Sequence, residues 1–433
     1  MGPFFRHFLR QLRQGPRPPF AKQTYTRIAS ATGATIALSM AAYTCTVVPL
    51  PSSEKTATSD AKPHHVTNWC GKTVKYRNPH PSHENPKMVD LLGMLITSGS
   101  TASKVTLADK VVPVVKPQFL STRTGSPNIR ATWLGHACYY VEYPSGLRVL
   151  FDPVFENYCS PVPIPHLQRY TEAPCNIADL PFVDAVVISH SHYDHLSYPS
   201  VKEICKNYPN AHFFVGLGLE KWFKQSGVKN VTEMDWWDEM EVTFTPSAAK
   251  DAANSPEEPL PSPIKATISC LPSQHESGRS LLDQNTTLWA SWAVRSGAPA
   301  KTVWFGGDTG YRTVPKVATG VDDYGPDFQH LPACPQFRQI GEHLGAIDLG
   351  LIPIGAYAPR HVFSHMHANP FDSVEIFRDV GCKRAMAIHW GTWKLTPEDP
   401  LEPPRLLKEA LRRRGLAETG LFDICDIGES REF

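Results

Sequence analysis

The sequence predicts an α/β fold in which two β-sheets pack on one another with helices outside them. From about residue 129 the chain becomes a series of short β-branched and aromatic runs separated by turn residues. The same pattern recurs in the second half, and helical segments are interspersed with the strands.

Residues 129–134 alternate, 139–143 follow, and Pro144-Ser145-Gly146 turns the chain into 147–151, an antiparallel meander. Residues 184–189 read as a buried strand. A short helix begins near Pro199, since proline suits a first helical turn. Residues 212–215 form another strand and 219–225 another helix, and strands at 241–245 and 266–270 continue the series. The second half supplies strands at 288–294, 302–305, 349–354 and 385–388, then a helix over 401–414, charged on one face and ended by Gly415. Proline-rich residues 248–265 and loop-like residues 314–337 read as insertions, with Tyr324 and Phe328 able to pack locally.

Composition excludes several classes. The 433 residues are 41% hydrophobic and 20% charged, enough apolar content for a core. Lysine and arginine number 43 against 42 acidic residues, which argues against a broadly basic nucleic-acid binder. No strongly apolar run of membrane-spanning length lies beyond residue 50, so the chain is not polytopic. Ten cysteines with no Cys-x-x-Cys pair speak against a zinc finger and against a disulfide framework.

The N-terminus has its own character. Residues 1–53 contain no acidic residue but carry Arg6, Arg10, Arg13, Arg17, Lys22 and Arg27, so with +1 overall the remainder carries −5. Such an arginine-rich, acid-free composition predicts a targeting segment over 1–27. The uncharged stretch 28–50 is long enough for a transmembrane anchor, and 51–75 reads as a linker. The expectation is a mitochondrial protein, with an N-terminal anchor in the inner membrane and its catalytic domain toward the intermembrane space. A soluble or peripheral form after transit-peptide cleavage is the alternative.

The most informative segment is Ser189-His190-Ser191-His192-Tyr193-Asp194-His195, at the end of a buried strand. In extended chain, residues two apart project to one side, so His190 and His192 can grip one metal. The following turn can aim Asp194 and His195 at a second. With 18 histidines in the chain, a chance His-x-His-x-Asp-His run is roughly a one-in-several-hundred event. Imidazoles and a carboxylate without thiolate favour a hydrolytic site, with zinc first and manganese or iron as alternatives. Three more candidates end predicted strands: His275, Asp308 after two glycines, and His389.

These residues, in this order, resemble the metallo-β-lactamase superfamily and, more narrowly, the N-acylphosphatidylethanolamine-hydrolysing phospholipase D family of fungal mitochondrial type. The narrower likeness is carried by Thr132-Trp133-Leu134-Gly135-His136-Ala137, Asp152-Pro153, Asp235-Trp236-Trp237, Pro272-Ser273-Gln274-His275, Gly307-Asp308-Thr309-Gly310-Tyr311 and Ala387-Ile388-His389-Trp390-Gly391-Thr392. It runs from about Tyr76 to Gly428.

The resemblance implies an αββα four-layer sandwich over 76–433 that holds two Zn2+ ions. It places His190, His192 and His275 on one ion and Asp194, His195 and His389 on the other, with Asp308 bridging. The implied activity is phosphodiester hydrolysis of N-acylphosphatidylethanolamine to N-acylethanolamine and phosphatidic acid by a metal-bridging hydroxide. Another phospholipid, a lactone or a thioester is the alternative substrate. His367 matches a histidine near the substrate, and Asp194 and His367 are the expected catalytic residues. His136 and Asp152 are expected to orient the ligands from behind. Trp236 and Trp237 suit the core better than a lipid trough, and His361 and His365 read as solvated. The expected partners are a phospholipid and a membrane surface, with a homodimer possible and no nucleic acid.

Overall fold

A computed structural model describes residues 42–51, 62–90, 111–247, 261–318 and 320–433. The targeting segment 1–27, most of the expected anchor, and residues 248–260 of the first insertion lie outside the described residues.

In chain order the strands are β1 (Ala42–Pro49), β2 (His65–Thr67), β3 (Thr73–Tyr76), β4 (Arg130–Gly135), β5 (Cys138–Glu142) and β6 (Arg148–Phe151). Then follow β7 (Ala185–Val187), β8 (His212–Gly216), β9 (Val231–Met234), β10 (Glu239–Ser247), β11 (Ile264–Leu271) and β12 (Ser291–Ser296). The last are β13 (Lys301–Phe305), β14 (Ile347–Pro353), β15 (Cys382–Ile388), β16 (Phe422–Asp423) and β17 (Ser430–Glu432). The helices are α1 (Tyr198–Asn207), α2 (Glu220–Gln225), α3 (Gln336–Leu344), α4 (Arg360–Phe363), α5 (Pro370–Val380) and α6 (Glu402–Arg413).

Two large sheets result. One has the order β17-β4-β5-β6-β7-β8-β9, the other β1-β10-β11-β12-β13-β14-β15-β16, and β2-β3 form a separate hairpin. In each large sheet antiparallel pairing gives way to parallel pairing, at β6-β7 and at β13-β14. Parallel strands need covered faces, and β7 and β14 are buried at every position.

Side-chain alternation sorts the layers. Tyr139, Val141, Val149, Phe151, Ala185 and Val187 join the larger core, together with Val242, Ile268, Val294, Phe305 and Leu351 of the other sheet. Phe151 and Phe305 meet across that interface with ring centroids 4.9 Å apart. Their neighbours Tyr140, Leu150 and Val186 point the other way, onto Val201, Ile204 and Phe223 of α1 and α2. On the far side Phe337, Ile340, Val374, Phe377 and Leu411 close the larger core from α3, α5 and α6. This is the αββα sandwich of the metallo-β-lactamase fold.

Residues 42–49 correct one expectation. They form no part of a transmembrane helix: β1 pairs with β10 over eight positions, from Ala42↔Ser247 to Pro49↔Met240. The β-branched and aromatic content of Tyr-Thr-Cys-Thr-Val-Val serves a strand edge. No helix among the described residues is long and apolar enough to cross a membrane. The larger sheet therefore recruits residues well ahead of the expected domain start at 76. The segment around 314–337 packs locally: Tyr324 Oη donates to Asp372 Oδ1 at 2.5 Å and lies 2.7 Å from Asn369 Oδ1, beneath the Arg312 guanidinium. All ten cysteines are free thiols.

Candidate metal centre

The centre lies where strands of both sheets end at one edge. β7 leads into residues 188–195, β6 into Asp152, β11 into the turn carrying His275, β13 into Asp308 and β15 into His389. Parallel registers Phe151↔Val187 and Pro353↔Ile388 bring neighbouring ends level. Backbone bonds lock the following loops together: Ala290 N–H donates to the Ser189 carbonyl at 2.9 Å, and His389 N–H to that of His136 at 3.0 Å.

The loops are tightly constrained. His136, Asp152 and His389 all hold positive φ (53°, 39° and 62°), a conformation non-glycine residues adopt mainly where surroundings impose it. Gly307 is also left-handed, and a Cβ there would stand 2.6 Å from Ser189 Cβ. Only glycine lets the Asp308 loop of one sheet approach the His190 loop of the other so closely.

Three imidazoles form one face. His190 Nε2 lies 2.8 Å from His192 Nδ1, and His275 Nε2 lies 3.2 and 3.3 Å from those two atoms. Nitrogens bound tetrahedrally to zinc at 2.0–2.1 Å would stand about 3.3 Å apart. The other nitrogens of His190 and His275 are assigned: His275 Nδ1 donates to the Met366 carbonyl at 2.8 Å. Ser189 Oγ donates to Asp152 Oδ2 at 2.5 Å and so accepts from His190 Nδ1 at 2.9 Å. The lone pairs of His190 Nε2 and His275 Nε2 therefore face the shared point.

A second group adjoins it. Asp194 Oδ2 lies 3.4 Å from His195 Nε2 and 3.5 Å from His389 Nε2. Asp308 Oδ2 sits between the groups, 3.0 Å from His389 Nε2 and 3.2 Å from His195 Nε2, and 3.7 and 3.9 Å from His275 and His190. The seven sequence-predicted ligands thus gather in one place, with four of the imidazoles within 3.9 Å of Asp308 Oδ2. His136 Nε2 contacts Asp194 Oδ2 at 3.1 Å, and Asp152 Oδ2 stands behind His195 at 2.6 Å from its Nδ1. His367 Nδ1 faces Asp308 Oδ2 from 3.8 Å.

The donor set fits a divalent cation. His195 Nε2, His389 Nε2 and Asp308 Oδ1 are buried and have no hydrogen-bond partner among the described residues, an expensive arrangement for a protein without an ion there. Electrostatics agree. Burial holds the His190 and His275 imidazoles well below their usual range, in the neutral form that ligates. Burial opposes the charged forms of Asp194 and Asp308 too, but His195 outweighs it, joined at Asp308 by His389, and both carboxyls lie well below their range. In return Asp308 and Asp194 overcome burial, pushing His389 up to about 9 and His195 well above its usual range. Two concentrated carboxylates here attract positive charge, whether protons or metal.

A cavity of about 340 Å³ opens onto the centre, lined by His192, Asp194, Asp308, His367, Phe363 and Leu395 among others. Sequence reasoning missed Ser189 as the link between Asp152 and His190, although it opens the motif. It also missed Arg279 at the cavity wall, whose guanidinium lies 3.9 Å over the Tyr193 ring and donates to the Ser191 and Leu196 carbonyls. Nothing in the residues around Arg279 signalled that role. Trp236 is buried, with Nε1 donating to the Trp289 carbonyl at 2.7 Å, and Trp237 packs against the core. His365 is 4% exposed, so the solvated reading is corrected; the loop after α4 turns it inward.

The profile of the beta-lactamase superfamily domain matches residues 147–390. N-acyl-phosphatidylethanolamine-hydrolyzing phospholipase D 1 of Caenorhabditis elegans is 35% identical over 305 residues, 69% of this chain and 74% of that protein. An uncharacterized protein of Mycobacterium tuberculosis is likewise 35% identical over 305 residues, covering 69% and 68%. The mitochondrial N-acyl-phosphatidylethanolamine-hydrolyzing phospholipase D of Saccharomyces cerevisiae is 32% identical over 297 residues, covering 68% of this chain and 53% of that protein. The chain belongs to the metallo-β-lactamase superfamily and, within it, to the N-acyl-phosphatidylethanolamine-hydrolysing phospholipase D family of metal-dependent hydrolases.

Proposed function

We propose that the protein hydrolyses N-acylphosphatidylethanolamine at the phosphodiester bond on the ethanolamine side, releasing N-acylethanolamine and phosphatidic acid. The observation that carries this reading is the convergence of two ligand groups on Asp308 Oδ2, in a family whose worm and yeast members are named for that substrate. His190, His192 and His275 would hold one Zn2+ and Asp194, His195 and His389 a second, with Asp308 shared. Two such cations, when bound, lower the pKa of a water and neutralise charge on both the attacking and the leaving oxygens.

The chain's own groups do the rest. Asp152 and Ser189 fix the proton positions of His195 and His190, so that each presents a lone pair forward. His136 steadies Asp194 by its Nε2 contact. Burial lowers the His367 pKa to about 3, so its imidazole is neutral. An N–H held on its Nδ1, the atom that faces the centre, can donate a hydrogen bond to a phosphate oxygen or to the departing ethanolamine oxygen. Leu167, Phe363 and Leu395 give the cavity apolar wall for the lipid portion.

The test compares N-acylphosphatidylethanolamine with ordinary phosphatidylethanolamine by product analysis. Release of N-acylethanolamine and phosphatidic acid from the first, without hydrolysis of the second, is expected; inertness toward both refutes the reading. The acid-free N-terminal segment and the mitochondrial designation of the yeast relative favour a mitochondrial site of action, which cell fractionation checks.

A further inference from the structure

Beside the strand end that carries His275 lies another ligating group, His83, Glu276 and His365, which offer one ligand atom each, all within 4.8 Å of one another. His83 comes from the segment after the β2-β3 hairpin, Glu276 directly follows His275, and His365 lies just after α4. The group is not a hydrogen-bonded triad. His365 Nε2 stands 3.9 Å from Glu276 Oε1, too far for a hydrogen bond, and the two imidazoles meet edge-on with centroids 5.3 Å apart. His83 Nε2 is buried and has no hydrogen-bond partner among the described residues. The Glu276 side chain is only 31% exposed, and its one ion-pair contact among those residues is His365.

The backbone beneath this group is firmly held. Ser82 Oγ donates to Gln274 Oε1 at 2.5 Å, Gln274 Nε2 donates to the His365 carbonyl at 2.9 Å, and Asn78 Nδ2 donates to the His275 carbonyl at 2.8 Å. Each of the three residues therefore sits on a segment tied to the other two. A superficially similar group, His64, His65 and Asp235, differs in kind. There the carboxylate meets His64 Nε2 at 2.7 Å and His65 Nε2 at 2.9 Å and also holds the Lys62 ammonium, which leaves an ion no opening.

We propose that His83, Glu276 and His365 form a third, mononuclear site for a divalent transition-metal ion, separate from the centre around Asp308. Two imidazoles and one carboxylate without thiolate suit zinc, iron(II) or manganese(II), with water completing the coordination. The ion neutralises Glu276 and gives the buried His83 Nε2 its partner. It also ties the 78–84 segment to Glu276 and His365, the immediate neighbours of His275 and of the Met366 carbonyl that holds it.

The experiment uses the full chain, saturated with Zn2+ and passed through a desalting column, with the zinc-to-protein ratio read by plasma mass spectrometry. Wild type is compared with His83→Phe, Glu276→Gln, His365→Phe, Asp308→Asn, and Asp308→Asn combined with Glu276→Gln. Each of the first three variants is expected to lose one zinc equivalent relative to wild type. Asp308→Asn, which damages the other centre, is expected to hold one equivalent more than the same variant with Glu276→Gln added. An equal ratio in wild type and Glu276→Gln overturns the proposal, as does an equal ratio in Asp308→Asn and the double variant. Glu276→Gln conserves shape, so it decides the matter even if the phenylalanine variants fail to fold.

Discussion

Asp152→Asn isolates the support behind one ligand. Asp152 Oδ1 accepts the Ser189 N–H at 2.7 Å, while Oδ2 accepts Ser189 Oγ and faces His195 Nδ1 at 2.6 Å. Every partner is a donor, so either orientation of an asparagine amide turns its NH2 toward another donor. The His195 and Asp152 side chains are both fully buried, and a buried charge-assisted bond of this kind contributes about 1.5–3 kcal/mol. Loss of such support behind a ligating histidine costs roughly 10–100-fold in metal affinity, about 1.4–2.8 kcal/mol. The two estimates agree. Zinc competition against a chromophoric chelator should show one equivalent weakened by that factor, while the equivalent held by His190, His192 and His275 shifts less. Unchanged affinity for both equivalents would refute the assignment of His195 as a ligand supported by Asp152.

Gly307→Ala should lower the melting temperature by several degrees and reduce hydrolysis, because the left-handed φ costs about 1 kcal/mol and the new Cβ meets Ser189 Cβ at 2.6 Å; a melt equal to wild type would show that the loops can yield. His212 is held neutral by burial, its pKa lowered to about 4, so the unfolded chain binds its proton first as pH falls. The stability it lends is complete above its ordinary pKa near 6.5 and declines toward pH 4, by up to about 3 kcal/mol. His212→Gln should therefore flatten the fall in denaturation midpoint over that window, and an unchanged slope would count against it. A chain truncated to begin at residue 51 loses β1 and bares the β10 edge; it should aggregate in light-scattering assays, whereas one beginning at 42 should not.

Much of the fold was legible because burial leaves a period-two trace. The runs at 129–134, 212–215 and 302–305 overlie β4, β8 and β13 within a residue or two. The ligands were legible because chemistry restricts them to a few residue types placed directly after strands. What escaped detection depends on partners distant in the chain. β1 reads as an apolar stretch until Val242 and Phe244 of β10 are seen beside it. The helix α5 begins with Asn369-Pro370, where the Asn369 side chain accepts the Asp372 N–H, yet its neighbourhood of histidines drew attention elsewhere. Asp235 gave no sign from its own surroundings that Lys62, His64 and His65 would gather on it from more than 160 residues away.

Ownership of the proposed ligands is divided: His190, His192, Asp194 and His195 follow β7 of one sheet, while His275, Asp308 and His389 follow β11, β13 and β15 of the other. A cation seated there acts as a rivet through the sandwich, since neither half alone can complete its coordination. Ion binding and the seating of the two halves then become one equilibrium, in which stripping the ion loosens the whole body and a slipped interface releases the ion.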